Sequence, residues 1–427
     1  MNYLENLLAE QIPTSEETKK LGEISSTIIQ KINDICKADN INASCTEVGS
    51  VSKNTNLKSS DIDIFVTFDK SYSVDYIEKK GLEIGHRVLE NGTEKYAEHP
   101  YVSGYVMGIK VDVVPAFKIS EGEKIVSTVD RTPLHTLYVN SNTDEAMVHD
   151  IRLLKVFMKS INVYGSEISR SGFSGYLCEL LIIHFKNFDR LMGYMANLRG
   201  KLIVPENTED KFSEPVIIID PVDPSRNAGA AVSEENLSRL KLASKLYMAG
   251  REDILNHTPR INKNRGTHIM VFVVKKPDII DDIIYPQAVR LKNRIWDILH
   301  NNGFMPVASE IYVGSDIEIL IECELGMLPG TKVHMGPPVE SNESIKFIDV
   351  WNSNSRLMRG PYILKNRVYV DVRTEQRDME GIIRKELKNS DIGKNLNELK
   401  DEIKIINGED TDLEVVRKFF SKYLFNS

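Results

Sequence analysis

The stretch Gly49–Phe68, GSVSKNTNLKSSDIDIFVTF, decides the fold. Its second half, Asp61–Phe68, alternates, with Ile62, Ile64, Val66 and Phe68 on one face, the mark of a half-buried strand. Asp61 and Asp63 then share the opposite, accessible face. Gly49-Ser50 falls where a preceding strand, Ala43–Val48, ends. Glycine lets a backbone approach a ligand closely, and exposed amides with a serine hydroxyl can hold phosphate oxygens. A later alternating segment, Tyr105–Val114, puts Ile109, Val111 and Val113 on one face and Asp112 on the polar one. A lone Asp-x-Asp or a lone Gly-Ser turn means little. Together with a third strand aspartate they form a specific pattern. Three carboxylates on neighbouring strands repel one another unless a cation offsets the charge. Two divalent metals bound among them could clamp the attacking and leaving oxygens of an in-line phosphoryl displacement.

Around this stretch the chain reads as several domains. Upstream, Ser15–Ala38 carries Leu21, Ile24, Ile28, Ile32 and Ile35 at helical spacing, opened by a capping box of Thr14 and Glu17. From Glu145 to about Gly250 the pattern turns mostly helical. Val148, Ile151, Leu154, Met158 and Ile161 form an apolar stripe, and Arg152, Lys155 and Lys159 a basic one. Phe173–Arg190 reads as one apolar helix, Pro215–Asp220 as a short strand, and Glu234–Met248 as a helix capped by Ser233. The polar, basic run Asn256–Gly266 marks a boundary. Beyond it come a strand at Thr267–Val274, a helix at Gln287–His300 ending near Gly303, and strands at Val307–Val313 and Ile317–Cys323. Tyr362–Val372 reads as a further strand with a break near Lys365-Asn366, and short helices at Met379–Leu387 and Asp412–Leu424 follow. Strand–helix–strand–strand suits a small α+β sandwich. The expected domains are 1–140, 141–257 and 258–427, an α+β, multidomain chain, as 427 residues lead one to expect.

Composition narrows the class. Hydrophobic residues at 41% and charged ones at 27% fit a soluble globular protein. No run approaches the ~18–20 apolar residues of a membrane helix, and the N-terminus does not read as a signal peptide, so no membrane partner is expected. Cys36, Cys45, Cys178 and Cys323 are scattered without a Cys-x-x-Cys pair, which points to a reducing, cytoplasmic setting rather than a zinc site or disulfide framework. A net charge of −8 is the wrong sign for nucleic-acid binding through bulk charge, so any RNA surface must be local.

The Gly49–Phe68 stretch resembles the signature of the polymerase-beta-like nucleotidyltransferase superfamily, which includes DNA polymerase beta, poly(A) polymerases and CCA-adding enzymes. The finer resemblance is to archaeal-type (class I) CCA-adding enzymes. It rests on Gly-Ser followed by Asn54-Thr55 before the Asp-x-Asp, on Asp130–His135 (DRTPLH), Arg152–Lys155 (RLLK) and Tyr164-Gly165, and on Gly172–Ile182 (GFSGYLCELLI), Asp220–Ser233 (DPVDPSRNAGAAVS) and His334–Val339 (HMGPPV). It therefore spans most of the chain. It implies a polymerase-beta-like nucleotidyltransferase head, a mostly helical nucleotide-recognition neck, and a C-terminal α+β (ferredoxin/RRM-like) body and tail. It also implies addition of C, C and A to the tRNA 3′ end from CTP and ATP, with two Mg²⁺ ions. By resemblance the C-terminal part holds the tRNA acceptor arm; Arg260, Lys263, Arg265, Arg290, Lys292 and Arg294 are basic residues there that phosphate contacts could use. A homodimer is compatible with the sequence, which does not set the oligomeric state.

Carried over residue by residue, Asp61, Asp63 and Asp112 resemble the metal-binding catalytic triad, with Asp112 placed to help deprotonate the primer 3′-hydroxyl. Ser50 resembles the residue that holds the triphosphate. Lys53 stands where relatives usually have arginine, which keeps the charge and loses the bidentate fork. His135, Lys155 and Tyr164 match residues that contact the incoming nucleotide. From the residues alone, Lys155 reads rather as a solvated helix face beside Arg152 and Lys159, and only the resemblance reverses this; His135 is alternatively a turn histidine after Pro133, and Tyr164 equally a helix end. Arg226 matches the residue that selects the base, whose guanidinium offers donors and no acceptor. Its plain alternative is a loop arginine paired to Asp220 or Asp223. Rival functions are another template-independent polymerase, making poly(A) or poly(U), and a non-catalytic RNA-binding protein on a transferase scaffold.

Overall fold

A computed structural model describes residues 3–96, 99–120, 123, 125, 127–206, 208, 212–251, 265–408, 411–421 and 424–425. Its contacts divide the chain into two units, one running to His257 and including Leu424–Asn426, the other Thr258–Tyr423. Most of the basic run proposed as a boundary, with Arg260 and Lys263, lies outside the described residues.

The first unit opens with helices α1 (Tyr3–Gln11) and α2 (Ser15–Ala38). The Thr14–Glu17 capping box forms as expected, each side chain bonding the other's backbone N–H. Strand β1 (Ala43–Val48) leads into a single turn of helix, α3 (Gly49–Ser52), followed by β2 (Ile62–Phe68), α4 (Val74–Val88), β3 (Glu90–Tyr96), β4 (Pro100–Val106) and β5 (Ile109–Phe117). The five strands make one sheet in the order β1-β2-β5-β4-β3, in which β2 and β5 run parallel and the other pairs antiparallel. Ile62, Ile64, Val66 and Phe68 face α2 and α4 with Val111 and Val113 from β5, and that apolar face is the core of this part. The expected single strand Tyr105–Val114 is two. The chain reverses at Met107-Gly108, both at positive φ, and pairs Val106 with Ile109. Such a two-residue turn wants φ > 0 at both positions, and only its glycine announces it in sequence.

A helical part follows: α5 (Arg131–Asn142), α6 (Glu145–Ser160), α7 (Gly175–Phe185), α8 (Phe188–Asn197) and α9 (Glu234–Met248), with small strands β6 (Leu202–Val204), β7 (Val216–Asp220) and β8 (Asp223–Asn227). The expected helix Phe173–Arg190 is broken in two. Lys186 adopts the left-handed conformation that ends α7, and the Asn187 side chain caps α8. The core gathers Leu154, Phe157 and Met158 of α6 with Leu181 of α7, Met192 of α8 and Leu240 of α9; Leu4 of α1 and Phe425 also belong to it.

In the second unit β9 (His268–Lys275), β10 (Pro306–Val313), β11 (Asp316–Cys323) and β15 (Lys404–Asn407) form a sheet in the order β10-β11-β9-β15. Helices α10 (Asp281–Asn302) and α12 (Met379–Leu387) pack on one face, with Gly303 at positive φ closing α10 as expected. The helix begins six residues earlier than the sequence pattern suggested, with Pro286 inside it. A second sheet, β12 (Thr331–Pro338), β14 (Arg367–Arg373) and β13 (Leu357–Leu364), carries α11 (Glu343–Asn352). The break expected near Lys365-Asn366 is the hairpin between β13 and β14. Helix α13 (Glu414–Ser421) packs its Val415 and Val416 on Ile269, Val271 and Leu320.

Candidate active site

The parallel pairing of β2 and β5 puts Asp63 directly beside Asp112. Asp61 sits just before β2 begins, one step outside the strand. Opposite Asp63 in β1 is Val48, so α3 starts beside the carboxylates. Gly49 is there because nothing larger fits: its φ is +76°, and a Cβ on it would stand 2.2 Å from Asp63 Oδ2. Ser50 follows in the same turn of helix.

The three carboxylates are charged groups held close. Burial pushes the Asp63 carboxyl up to about 7, and the charges of Asp112 and Asp61 push the same way, against Lys110 and Lys53. Asp112 Oδ1 is buried without a hydrogen-bond partner. Lys110, two residues before Asp112 on the same strand face, reaches Asp61 Oδ2 at 2.5 Å and Asp112 Oδ2 at 3.4 Å. Burial works against its ammonium, but these two carboxylates outweigh it and hold the proton more tightly than usual. Sequence reading missed Lys110, although period two places it beside Asp112. Among the described residues no three acidic, histidine or cysteine side chains are already gathered for a metal. Yet the donors suit one: oxygen ligands are what hard divalent cations take, and an orphaned carboxylate oxygen is a ready ligand.

A second cluster is fully buried. Glu179 of α7 accepts from Lys53 Nζ at 2.5 Å, from Thr55 Oγ1 at 2.6 Å and from Lys155 Nζ at 3.3 Å. Lys155 also donates to the Thr55 carbonyl at 2.9 Å. The side chains of Lys53, Lys155 and Glu179 are 8%, 2% and 1% exposed, so Lys155 is no solvated helix position. Burial works against the Glu179 carboxylate, but the two ammonium groups hold its pKa below the usual range. Burial lowers that of Lys155, and the neighbouring Lys53 adds to it. Two lysines against one carboxylate leave a surplus positive charge. Arg152, on the basic stripe, binds the Asn56 carbonyl at 3.0 Å and the Asn54 side chain at 3.0 Å. Tyr164 lies just beyond α6 and closes a bridge with Phe173. A Cβ on Gly175 would meet Tyr164 Oη at 3.0 Å and Lys155 Nζ at 3.6 Å, so these two side chains converge on that glycine. Burial raises the Tyr164 hydroxyl pKa, which keeps it protonated.

The third group centres on Asp220, the last residue of β7. Its Oδ2 accepts from His135 Nε2 at 2.9 Å and Arg226 Nη1 at 2.8 Å; its Oδ1 accepts from Tyr176 Oη at 3.0 Å. The His135 ring stacks on Tyr176 with centroids 4.0 Å apart, and Lys53 Nζ lies 5.7 Å over the Tyr176 ring. Burial alone would raise the Asp220 carboxyl; the hydrogen bonds from His135 and Arg226 bring it down to about 2. Arg131 pairs with Asp223 instead. Thus Asp63 and Asp112 stand side by side on paired strands, with Asp61 just before β2 and Ser50 just after β1, while Lys53, Lys155 and Tyr164 lie around Glu179, and His135 and Arg226 on Asp220. In the second unit Arg265 is paired with Glu322, Arg290 with Asp391 and Arg294 with Ser390.

A mixed sheet with acidic residues on two adjoining strands behind a Gly-Ser turn defines a nucleotidyltransferase, and the family model described as a nucleotidyltransferase domain matches residues 29–135. The model for the second domain of tRNA nucleotidyltransferase matches 149–255, and that for the C-terminal domain of CCA-adding enzymes 265–408. A CCA-adding enzyme of Picrophilus torridus is 55% identical over 98% of this chain and 99% of its own. Those of Thermoplasma acidophilum and Methanocaldococcus jannaschii are 44% identical over 99% of both chains, and 38% identical over 80% of this chain and 81% of the relative. The chain belongs to the CCA-adding enzymes.

Proposed function

We propose that this enzyme completes the tRNA 3′ end with C, C and A, taking CTP and ATP as substrates and using no nucleic-acid template. The 3′-hydroxyl of the tRNA attacks the α-phosphorus. A new P–O bond forms there as the bond to the bridging oxygen of the β-phosphate breaks, and pyrophosphate leaves. Asp61, Asp63 and Asp112 are the residues that would hold two Mg²⁺ ions, which when bound offset the charge growing on the attacking and leaving oxygens. The observation that carries this reading is Asp112 Oδ1, buried and without a hydrogen bond beside Asp63. Asp112 takes up the proton of the 3′-hydroxyl. Lys110 balances the carboxylates in the free protein.

Ser50, His135 and Tyr164 contact the incoming nucleotide, while Lys53 and Lys155, buried on Glu179, act on its triphosphate through their surplus positive charge. Arg226 reads the base. Cytosine and adenine offer an acceptor nitrogen where uracil and guanine carry N–H, and a guanidinium has only donors. The C-terminal domain, 258–427, holds the acceptor arm, the head is 1–140 and the neck 141–257. No helix among the described residues is long and apolar enough to cross a membrane, and the free cysteines suit the cytoplasm. Sedimentation decides between monomer and homodimer. The test is to sequence the product formed on a tRNA lacking CCA with CTP, ATP, UTP and GTP, singly and mixed. The expected product ends in CCA and stops; an A or U tail, or no extension, overturns the proposal.

A further inference from the structure

The pairing of Arg226 with Asp220 invites the view that it braces a loop. The hairpin of β7 and β8, however, is braced by other residues. Asn227 accepts from the Ile218 and Gly229 N–H groups and donates to the Val216 carbonyl, each at 2.9 Å. Asp223 is fixed by Arg131 at 2.8 Å and by Ser225 at 2.6 Å. Arg226 remains 36% exposed at its side chain, and Asp220 engages it through Nη1. Asp220 itself is fully buried and anchored from three more sides, by His135, Tyr176 and the Val222 N–H at 3.1 Å. An immobile carboxylate thus grips one nitrogen of an accessible guanidinium.

This grip has two physical effects. A guanidinium is planar, so fixing one nitrogen restricts the directions in which its remaining N–H groups point. The carboxylate also cancels its charge. An unpaired guanidinium binds phosphate oxygens strongly, through paired charge-assisted hydrogen bonds, and every nucleotide carries the same phosphates. A neutralised one is left to discriminate by matching donors to acceptors on a base edge. The oxygen that holds Arg226 is also the one that holds His135, so a single atom ties both side chains to one rigid point.

We infer that Asp220 is a specificity-determining positioning residue, which keeps Arg226 oriented and charge-compensated so that the base rather than the triphosphate decides which nucleotide is accepted. The inference rests on the reading that Arg226 contacts the base. Its test is kcat and KM for CTP, ATP and UTP in the full-length enzyme with tRNA, for wild type, Asp220→Asn, Arg226→Ala and the double variant. Arg226→Ala is expected to lower the CTP:UTP ratio of kcat/KM by about ten- to a hundred-fold. Asp220→Asn is expected to lower it at least about ten-fold while KM for UTP falls, because the freed guanidinium takes phosphate. In the Arg226→Ala background the Asp220→Asn change should leave the ratio where it is. Ser225→Ala, which removes a donor to Asp223 in the same hairpin and leaves the Asp220–Arg226 pair intact, should keep the wild-type ratio; a fall as large as that of Asp220→Asn overturns the inference.

An unchanged ratio in Arg226→Ala overturns the reading of Arg226 itself. A ratio that falls in Arg226→Ala but holds in Asp220→Asn overturns the role of Asp220 alone, as does an equal loss for all three nucleotides in Asp220→Asn. Asp220→Glu keeps the charge on a longer arm and is the second variant, expected to lose part of the ratio. If neither Asp220 variant folds while Arg226→Ala does, Asp220 is a structural residue and the inference fails.

Discussion

Replacing Glu179 by glutamine removes a charge and keeps the shape. The wild-type carboxylate lies 2.5 Å from Lys53 and 3.3 Å from Lys155, with all three side chains under one-tenth exposed. Breaking a buried ion pair by removing one partner costs about 3–5 kcal/mol, because the remaining charge is left uncompensated. Here one carboxylate serves two ammonium groups, so the upper part of that range is expected. At roughly 2–4 °C per kcal/mol for a unit of this size, the melting temperature of the first unit should fall by roughly 10–20 °C. The pH dependence has a definite sign. The folded-state pKa of Lys155 lies below its ordinary 10.5. The folded protein therefore holds fewer protons than the unfolded one between the two values, and stability rises with pH through that window. Without Glu179 the folded value drops further, so the deficit of the variant should be largest near neutrality and shrink as pH rises toward the lysine range. Adding Lys155→Met to Glu179→Gln removes the uncompensated charge and should recover at least about half of the loss. The assay is thermal melting at about pH 7 and about pH 9.5. A Glu179→Gln loss below about 1 kcal/mol, or a double variant no more stable than the single one, refutes the reasoning.

Asp63→Ala or Asp112→Ala should abolish addition of both C and A while tRNA binding persists; near-normal turnover in either at saturating Mg²⁺, read by product gels, contradicts the metal assignment. The affinity for tRNA should fall as salt rises, with a log–log slope of several units if phosphates carry the contact; a slope near zero in a filter-binding titration points to another kind of contact. Phe425→Ala should destabilise the first unit by about 3–5 kcal/mol through loss of transferred surface and the cavity left behind. A melting curve unchanged from wild type would place that ring outside the core.

What the sequence made legible followed period and capping. Ile62, Ile64, Val66 and Phe68 stand on the core face as their alternation required, and Thr14, Ser233 and Gly303 end or begin helices as their chemistry suggests. The close approach of Gly49 to Asp63 and the pairing of Asp63 with Asp112 gave the Gly-Ser and Asp-x-Asp signals a shared location. Turns that rest on a non-glycine residue at positive φ were hidden, as at Met107 and Lys186. Partners distant in sequence were hidden too. Glu179 sits in the apolar run GYLCELLI, where a lone acid implies a buried cation without naming it. Its partners Lys53 and Lys155 are 126 and 24 residues away. Asp220 was visible as a mate for Arg226, but its hold on His135 and Tyr176 needed the fold.

Phe425 is 1% exposed in a core whose other members, among the described residues, lie no later than Tyr247. A ribosome makes this ring after it has made the whole second unit. Until then the emerging first unit has a phenylalanine-sized void, which by itself removes a large share of the ~5–15 kcal/mol that holds a typical domain together. The half that carries the acidic triad is thus synthesised early but reaches full stability late. Chaperones and proteases meet it in its weakest form for as long as translation of the remainder lasts.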